Sequence, residues 1–277
     1  MQNTNNKLLL GAIAAAALTL SACGGGGDGG SSSSPAAATP APSPAPAPTI
    51  TVSGSATPVS GDPLAVIYVP TDATSHGLSS HAGVTATAPA SLQVATDNGG
   101  YKALGGNVAS AVSLTSGSVS DVAGNGAYAI GRWTNGTSSL GNISVNQGAH
   151  YVVGVPLTVQ RVLGPGQTLA CSLISSTQPT AVSGNFAPGK VNSASAVIDL
   201  NGPLVQSINL DVSIGSDTHA TATFTGGPIT GAAPSATGTF QIETLGTNQT
   251  KPLLGIGYTI PSPSSGDVSG VVVLQCS

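Results

Sequence analysis

Residues 206–225 read QSINLDVSIGSDTHATATFT, two runs in which apolar and polar residues alternate. Ile208 and Leu210 lie on one side of the first run, and Ala222 and Phe224 lie on one side of the second. Successive side chains of a strand point to opposite faces of a sheet, so a period of two predicts antiparallel strands with one dry face and one wet face.

The same alternation extends outward along the chain. In TGTFQIETL (237–245) it places Gln241 and Glu243 on the wet face, and HYVVGVPLTV (150–159), LLGIGYTI (253–260) and VSGVVVLQC (268–276) continue the series of short strands. Eight or nine such strands with no helix between them predict a barrel or a sandwich. We therefore expect an all-β fold, with a small antiparallel barrel of about eight strands over residues 124–277 and an irregular β-rich region over residues 50–123.

Composition agrees with this fold class. Of 277 residues only 6% are charged, whereas globular proteins average about 25%. Glycine (38) and proline (20) are abundant, which favours short strands and many turns over helices. The net charge of -4 and the lack of a basic stripe argue against a nucleic-acid partner. A membrane-spanning barrel would also alternate, but the chain's few, scattered aromatic residues do not form the expected girdles.

The first 23 residues combine a single early charge, Lys7, with an apolar run over residues 8–20 and then Leu20-Ser21-Ala22-Cys23. The run has the length of a signal-peptide core and is too short to span a bilayer. The segment resembles a bacterial lipoprotein signal, which implies that residues 1–22 are removed and that Cys23 carries the lipid, including palmitate. The alternative is an ordinary secretory signal with an incidental cysteine. Gly24 follows Cys23 where inner-membrane lipoproteins carry Asp, which implies the outer membrane.

Residues 23–49 lack apolar periodicity and are rich in Gly, Ser, Pro and Ala, so they form a linker. Its Gly/Ser half is expected to be flexible and its Pro/Ala half extended. A lipid-anchored domain on such a tether could reach the cell surface or could simply be held away from the membrane.

Two cysteines remain, Cys171 and Cys276. In an exported chain they are expected to form a disulfide, and two buried free thiols are the alternative. Both lie on predicted strands, and closure of the barrel would bring these distant strands together.

Several segments follow one another along residues 124–275: GNGAYAIGRWTNG (124–136), HYVVGVPLT (150–158), a strand ending in TQPT (177–180), the strand near 196–200, LLGIGYTI (253–260) and VSGVVVLQ (268–275). By the order and spacing of these strands, this part of the chain resembles the β-barrel module of transferrin-binding-protein-B-like surface lipoproteins. The family has an eight-stranded barrel preceded by a less regular β-rich region, and its best-known members capture host iron or haem carriers, whereas many relatives have no known ligand. This chain is much shorter than the two-lobed members and lacks long charged loops.

Residues that could carry chemistry are few. His76 and His81 lie in a Ser/Gly-rich loop without further metal ligands nearby, so we expect solvated side chains and no metal site. His150 and His219 begin predicted strands and are expected at the rim of the barrel. No nucleophile-elbow pattern appears, and no catalytic residue is assigned. Trp133 is expected in a core or as a plug of the barrel lumen, facing away from its neighbour Arg132.

These observations predict a non-enzymatic, lipid-anchored protein of the bacterial outer membrane, without a cofactor. By resemblance its function would be to bind a host protein, haem or a small solute. The alternative is a structural envelope lipoprotein with no dedicated ligand. A lumen pocket or an exposed apolar patch would favour binding, and a filled barrel with a polar exterior would favour the structural role. A convergent group of Ser, His and carboxylate side chains would instead favour an enzyme.

Overall fold

The computed structural model describes residues 49–277, in which eighteen strands and two single-turn 3₁₀ helices, Ala90–Leu92 and Val108–Ser110, are present and no α-helix occurs. The all-β prediction is confirmed. Cys23, the signal peptide and nearly all of the linker lie outside the described residues. Within residues 49–277 no helix is long and apolar enough to cross a membrane.

The first sheet is a half-barrel with the strand order β3-β2-β9-β7-β6-β5-β4. In addition β1 pairs in parallel with β6, and β8 pairs with β7. The strands are β1 (Ile50–Thr57), β2 (Leu64–Val69), β3 (Gly83–Ala88), β4 (Val94–Ala95), β5 (Tyr101–Leu104), β6 (Val112–Asn125), β7 (Tyr128–Ser138), β8 (Gly141–Ile143) and β9 (Ala149–Gly154).

The second sheet is a nearly closed barrel of eight strands in the order β14-β13-β12-β10-β18-β17-β16-β15, with β11 added beside β18. The strands are β10 (Thr168–Ser176), β11 (Thr180–Ala181), β12 (Lys190–Asp199), β13 (Leu204–Ile214), β14 (Asp217–Pro228), β15 (Gly231–Ser235), β16 (Gly238–Leu245), β17 (Leu253–Ser262) and β18 (Gly266–Cys276). This sheet begins at Thr168. The sequence-based boundary at residue 124 falls at the end of β6, within the half-barrel.

Closure of the barrel pairs its first strand, β10, with its last, β18. Cys171 and Cys276 lie directly opposite each other in this pair and form a disulfide, with their Cα atoms 3.9 Å apart. The predicted disulfide is confirmed. As expected, closure of the barrel brings the two distant strands together.

The remaining gap in the barrel lies between β14 and β15, where no backbone ladder forms. The Thr237 hydroxyl bridges it, since it accepts the Thr223 N–H at 2.8 Å and donates to the Thr223 carbonyl at 2.8 Å. One threonine side chain thus replaces two ladder hydrogen bonds, and both backbone groups of Thr223 are satisfied.

The barrel lumen is filled by apolar side chains. Phe224 and Phe240 meet across the β14–β15 gap with ring centroids 6.0 Å apart. The ring of Tyr258 lies over Gly270, where a Cβ would stand 2.4 Å from the Tyr258 hydroxyl. Side chains of every barrel strand are buried in this core.

The two sheets pack back to back, and this contact makes a third apolar layer. Ile67 and Val69 of β2 press onto Gly255 and Gly257 of β17, where a Cβ on Gly257 would lie 2.6 Å from Val69 and 2.8 Å from Ile67. Glycine at these positions lets the backbones approach closely. Because both faces are covered, β2 and β9 are buried along their whole length.

The same contact corrects one expectation from the sequence. Gln241 and Glu243, assigned to a wet face, are 3% and 2% exposed. Their face of β16 is turned toward the half-barrel and not toward water. Alternation identified the strand correctly, but it could not show what packs on the polar face.

Candidate functional site

The open edge of the half-barrel holds a cavity of about 230 Å³. It lies between β3 on one side and β5 with the 3₁₀ helix Val108–Ser110 on the other. The floor is apolar and buried, formed by Val66, Leu104 and Val112, and His81 lies on the exposed rim. We call this space the seam cavity. It exists because the first sheet, unlike the second, stays open.

Ser80, His81, Thr85 and Ser110 contribute hydrogen-bonding groups to the lining of the seam cavity, and Tyr68 is the polar residue buried in its wall. It comes from β2, is 4% exposed, and its ring centroid lies 5.6 Å from that of Trp133. Burial, and secondly the charge of Asp72, raise the pKa of the Tyr68 hydroxyl, so it remains a neutral phenol that can donate or accept a hydrogen bond.

An aromatic cluster supports this wall. Trp133 is fully buried, donates its indole N–H to the Tyr101 carbonyl at 2.7 Å, and lies 6.3 Å from the ring of Tyr151. The Tyr151 hydroxyl accepts the Tyr101 N–H at 2.8 Å. Trp133 is therefore a core residue, as expected, in the half-barrel and not in the barrel lumen. Because its polar atoms are satisfied, the cluster forms a fixed wall behind Tyr68.

The rim brings a serine, a histidine and an aspartate close together without forming a catalytic triad. Ser80 Oγ lies 3.3 Å from His81 Nδ1, but Asp72 accepts a hydrogen bond from Ser79 and not from His81. Ser80 and His81 are adjacent and exposed. A triad needs a carboxylate that orients the imidazole, and this loop does not provide that link.

His150 was expected at the rim, and this prediction is wrong. The residue is fully buried, with Nδ1 2.8 Å from Thr177 Oγ1 and Nε2 2.9 Å from Thr180 Oγ1. Burial, and secondly the charge of Arg132, lower the pKa of His150 well below its usual value. A neutral imidazole with both nitrogens hydrogen-bonded ties β9 to the segment that leads into β11, which is a structural role.

Arg132 lies beside His150 in the same polar layer. Its Nε donates to Asp121 at 2.7 Å and its Nη2 donates to Gln178 at 3.2 Å. Asp121 also accepts the Gln178 N–H at 3.0 Å. This network joins β6 and β7 to the β10–β11 connection, and Arg132 Nη1 is a buried atom of it that has no hydrogen-bond partner.

The other histidines are exposed, as expected. His76 and His81 lie in the loop between β2 and β3, and His219, near the start of β14, contacts Asp211 at 2.8 Å. Across residues 49–277, no group of three or more His, Cys, Asp or Glu side chains is placed to hold a metal ion.

A second cavity, of about 240 Å³, contains a buried carboxyl. It lies beside β16 and beneath the crossover segment, residues 155–167, which leads from β9 to β10. Leu157, Val159 and Ile229 give it apolar walls, and Glu243 lines it. We call it the Glu243 cavity. The sequence analysis did not indicate this site. One signal was available, since Glu243 is the only glutamate in the chain.

No family model matches the chain, and neither do curated proteins or solved structures. The likeness to transferrin-binding-protein-B-like lipoproteins thus remains an expectation from the sequence.

Proposed function

We propose that the protein is a lipid-anchored component of the bacterial outer membrane whose folded part binds a small, largely apolar molecule without chemical conversion. The seam cavity carries this proposal, because it combines an apolar floor with a buried phenol, Tyr68, on a rigid wall and with polar side chains at its edge. The anchor rests on Cys23 and the signal before it.

Among the ligand classes that the sequence left open, a small solute fits best. Cavities for drug-sized ligands span about 300 to 1,000 Å³, and the seam cavity lies below that range at about 230 Å³. Haem is a large, flat macrocycle, and a cavity of about 230 Å³ is too small to enclose it. A host protein would need an extended interface, about 800 Å² on each partner, which a small cavity alone does not provide.

One observation supports the alternative that the protein has a structural role in the envelope. The eight-stranded barrel is filled by its own apolar side chains. A protein whose seam cavity bound nothing would fit the role of an envelope lipoprotein without a dedicated ligand.

Quenching of Trp133 by bromobenzene tests the seam cavity. Trp133 is the only tryptophan and lies 5.6 Å from Tyr68, so its emission reports on this wall. We expect saturable quenching in the full-length protein. Ala109→Phe, at an exposed position on the cavity edge, should weaken the apparent affinity by more than roughly tenfold, because its ring occupies the cavity.

Val108→Phe provides the matched control. Val108 precedes Ala109 in the same 3₁₀ helix, is 83% exposed and does not line the cavity, so its variant should retain wild-type quenching. Linear, unsaturable quenching that is equal in all three proteins would reject the seam cavity as a binding site.

The lipid anchor is tested at its own residues. Cys23→Ser should block processing of the precursor or release the protein from the membrane fraction, since the serine hydroxyl cannot replace the acylated sulfur. Gly24→Asp should leave processing intact and shift the protein to the inner-membrane fraction. Normal processing and outer-membrane partition of Cys23→Ser would show that the cysteine is incidental.

A further inference from the structure

The carboxyl of Glu243 is buried without adequate hydrogen bonds. The residue is 2% exposed, its Oε2 has no hydrogen-bond partner, and its Oε1 receives only a long hydrogen bond, 3.5 Å, from the Thr230 hydroxyl. Within residues 49–277 the ion pairs are Arg132–Asp121 and His219–Asp211, so neither cationic partner belongs to Glu243.

Such a carboxyl is unfavourable for stability. An ionised group in an apolar setting loses its hydration, and a buried acceptor without a donor costs more than a missing hydrogen bond. A glutamine or an apolar residue would fill the same space at lower cost. Departures from packing rules that bring no structural gain are typical of binding sites.

The shape of the Glu243 cavity indicates what the carboxyl could bind. Its walls at Leu157, Val159 and Ile229 are apolar, and Glu243 is the acidic group among its lining residues. Metal ions are usually held by several charged ligands, and within residues 49–277 no group of three or more His, Cys, Asp or Glu side chains is placed to hold one. A ligand with one cationic donor and an apolar body matches both features.

We propose that the Glu243 cavity is a second binding site, separate from the seam cavity, and that it takes a small organic amine. The ammonium group donates to the Glu243 carboxylate after a rotation of that side chain, because Oε2 is shielded from solvent in the structure described. The apolar part of the ligand packs against Leu157, Val159 and Ile229. No bond is made or broken.

The size of the cavity limits the ligand. A cavity of about 150 Å³ accommodates benzene, so the observed volume of about 240 Å³ suits a molecule of roughly ten heavy atoms. 2-Phenylethylamine has a suitable size and charge, and 2-phenylethanol is its neutral counterpart.

The ionisation of Glu243 sets the conditions for a test. Burial raises its pKa from the ordinary value of 4.5 to about 7, so the carboxylate dominates at pH 8 while a primary amine remains protonated. Calorimetric titration of the full-length protein at pH 8 should show saturable binding of 2-phenylethylamine. The amine should bind roughly 10- to 100-fold more tightly than 2-phenylethanol, as expected for a charge-assisted hydrogen bond in a desolvated site.

Three variants assign the site. Glu243→Gln keeps the volume and removes the charge, so the preference for the amine should fall to about equal affinity for the two probes. Ile229→Trp fills the cavity and should abolish binding of both. Gln241→Met changes the neighbouring buried side chain on the same face of β16, which does not line the cavity, and should keep the full preference.

Equal binding of amine and alcohol by the wild-type protein would overturn the proposal, since it would show an apolar cavity in which the carboxyl plays no part. Binding of neither probe would also overturn it and would leave the cavity to internal water. A preference that survives Glu243→Gln would place the amine elsewhere. None of these results bears on quenching of Trp133 at the seam cavity, so the two proposals stand or fall separately.

Discussion

Reduction of the Cys171–Cys276 disulfide is expected to lower the free energy of unfolding more than any other single chemical change considered for this protein. The bridge joins residues 105 apart in sequence. In the chain-entropy model, a closed loop of about 100 residues restricts the unfolded chain enough to stabilise the fold by about 4.7 kcal/mol. Domains of this size have total stabilities of about 5 to 15 kcal/mol, so the reduced protein should be marginally stable.

Urea titrations of the full-length protein, oxidised and then reduced, measure this effect. The double variant Cys171→Ala/Cys276→Ala is the matched control, because it should unfold near the reduced wild type and should not respond to reductant. Coincident titrations of oxidised and reduced protein would contradict the prediction, since they would mean that the unfolded chain gains no freedom when the bridge is cut.

The same bridge illustrates what the sequence could predict. Alternation marks β13 and β14 because their outer faces meet water, and the apolar runs of β17 and β18 complete a meander. A meander of eight strands has two free ends, and the pairing of β10 with β18 joins them. One cysteine lies on each of these end strands. Closure of the barrel and the disulfide could therefore be predicted together from the sequence.

The contact between the two sheets could not be predicted in this way. Whether the second face of a strand is buried depends on residues far away in the chain. The local alternation of apolar and polar residues carries no information about them. In β13 the polar residue Asp211 reaches water, whereas in β16 the polar residue Glu243 meets the half-barrel, although both alternate with apolar neighbours. His150 was misplaced for the same reason.

The seam cavity shows a related limit. Val66 and Tyr68 lie on one continuous apolar run, which predicts a buried strand but not an open sheet edge beside it. The opening depends on how few residues β4 and β5 contribute to pairing, and on the 3₁₀ helix that follows them. The lengths of these short strands are set by local turns and bulges. The alternation of apolar and polar residues does not predict them.

Glu243→Gln is expected to stabilise the protein at pH 8 by about 3 kcal/mol and to leave its stability nearly unchanged at pH 4.5. The folded-state pKa of Glu243 is about 7 and its ordinary value is 4.5, so between these values the unfolded chain releases a proton that the folded chain retains. The contribution of Glu243 to the free energy of unfolding therefore falls as the pH rises from 4.5 to 7. The total fall is roughly 1.4 kcal/mol for each unit by which the two pKa values differ.

Comparison of the variant with wild type is essential, because His150 acts in the opposite direction. Its folded-state pKa is lowered, so the unfolded chain binds the extra proton below pH 6.5, and stability due to His150 rises with pH in that range. This contribution is common to both proteins and cancels in the difference between their unfolding free energies. Gln241→Met, which removes no titrating group, should differ from wild type by a constant amount at every pH. If the difference between Glu243→Gln and wild type is also constant from pH 4.5 to 8, the Glu243 carboxyl is not held in an apolar site, and the case for an amine at that position loses its physical basis.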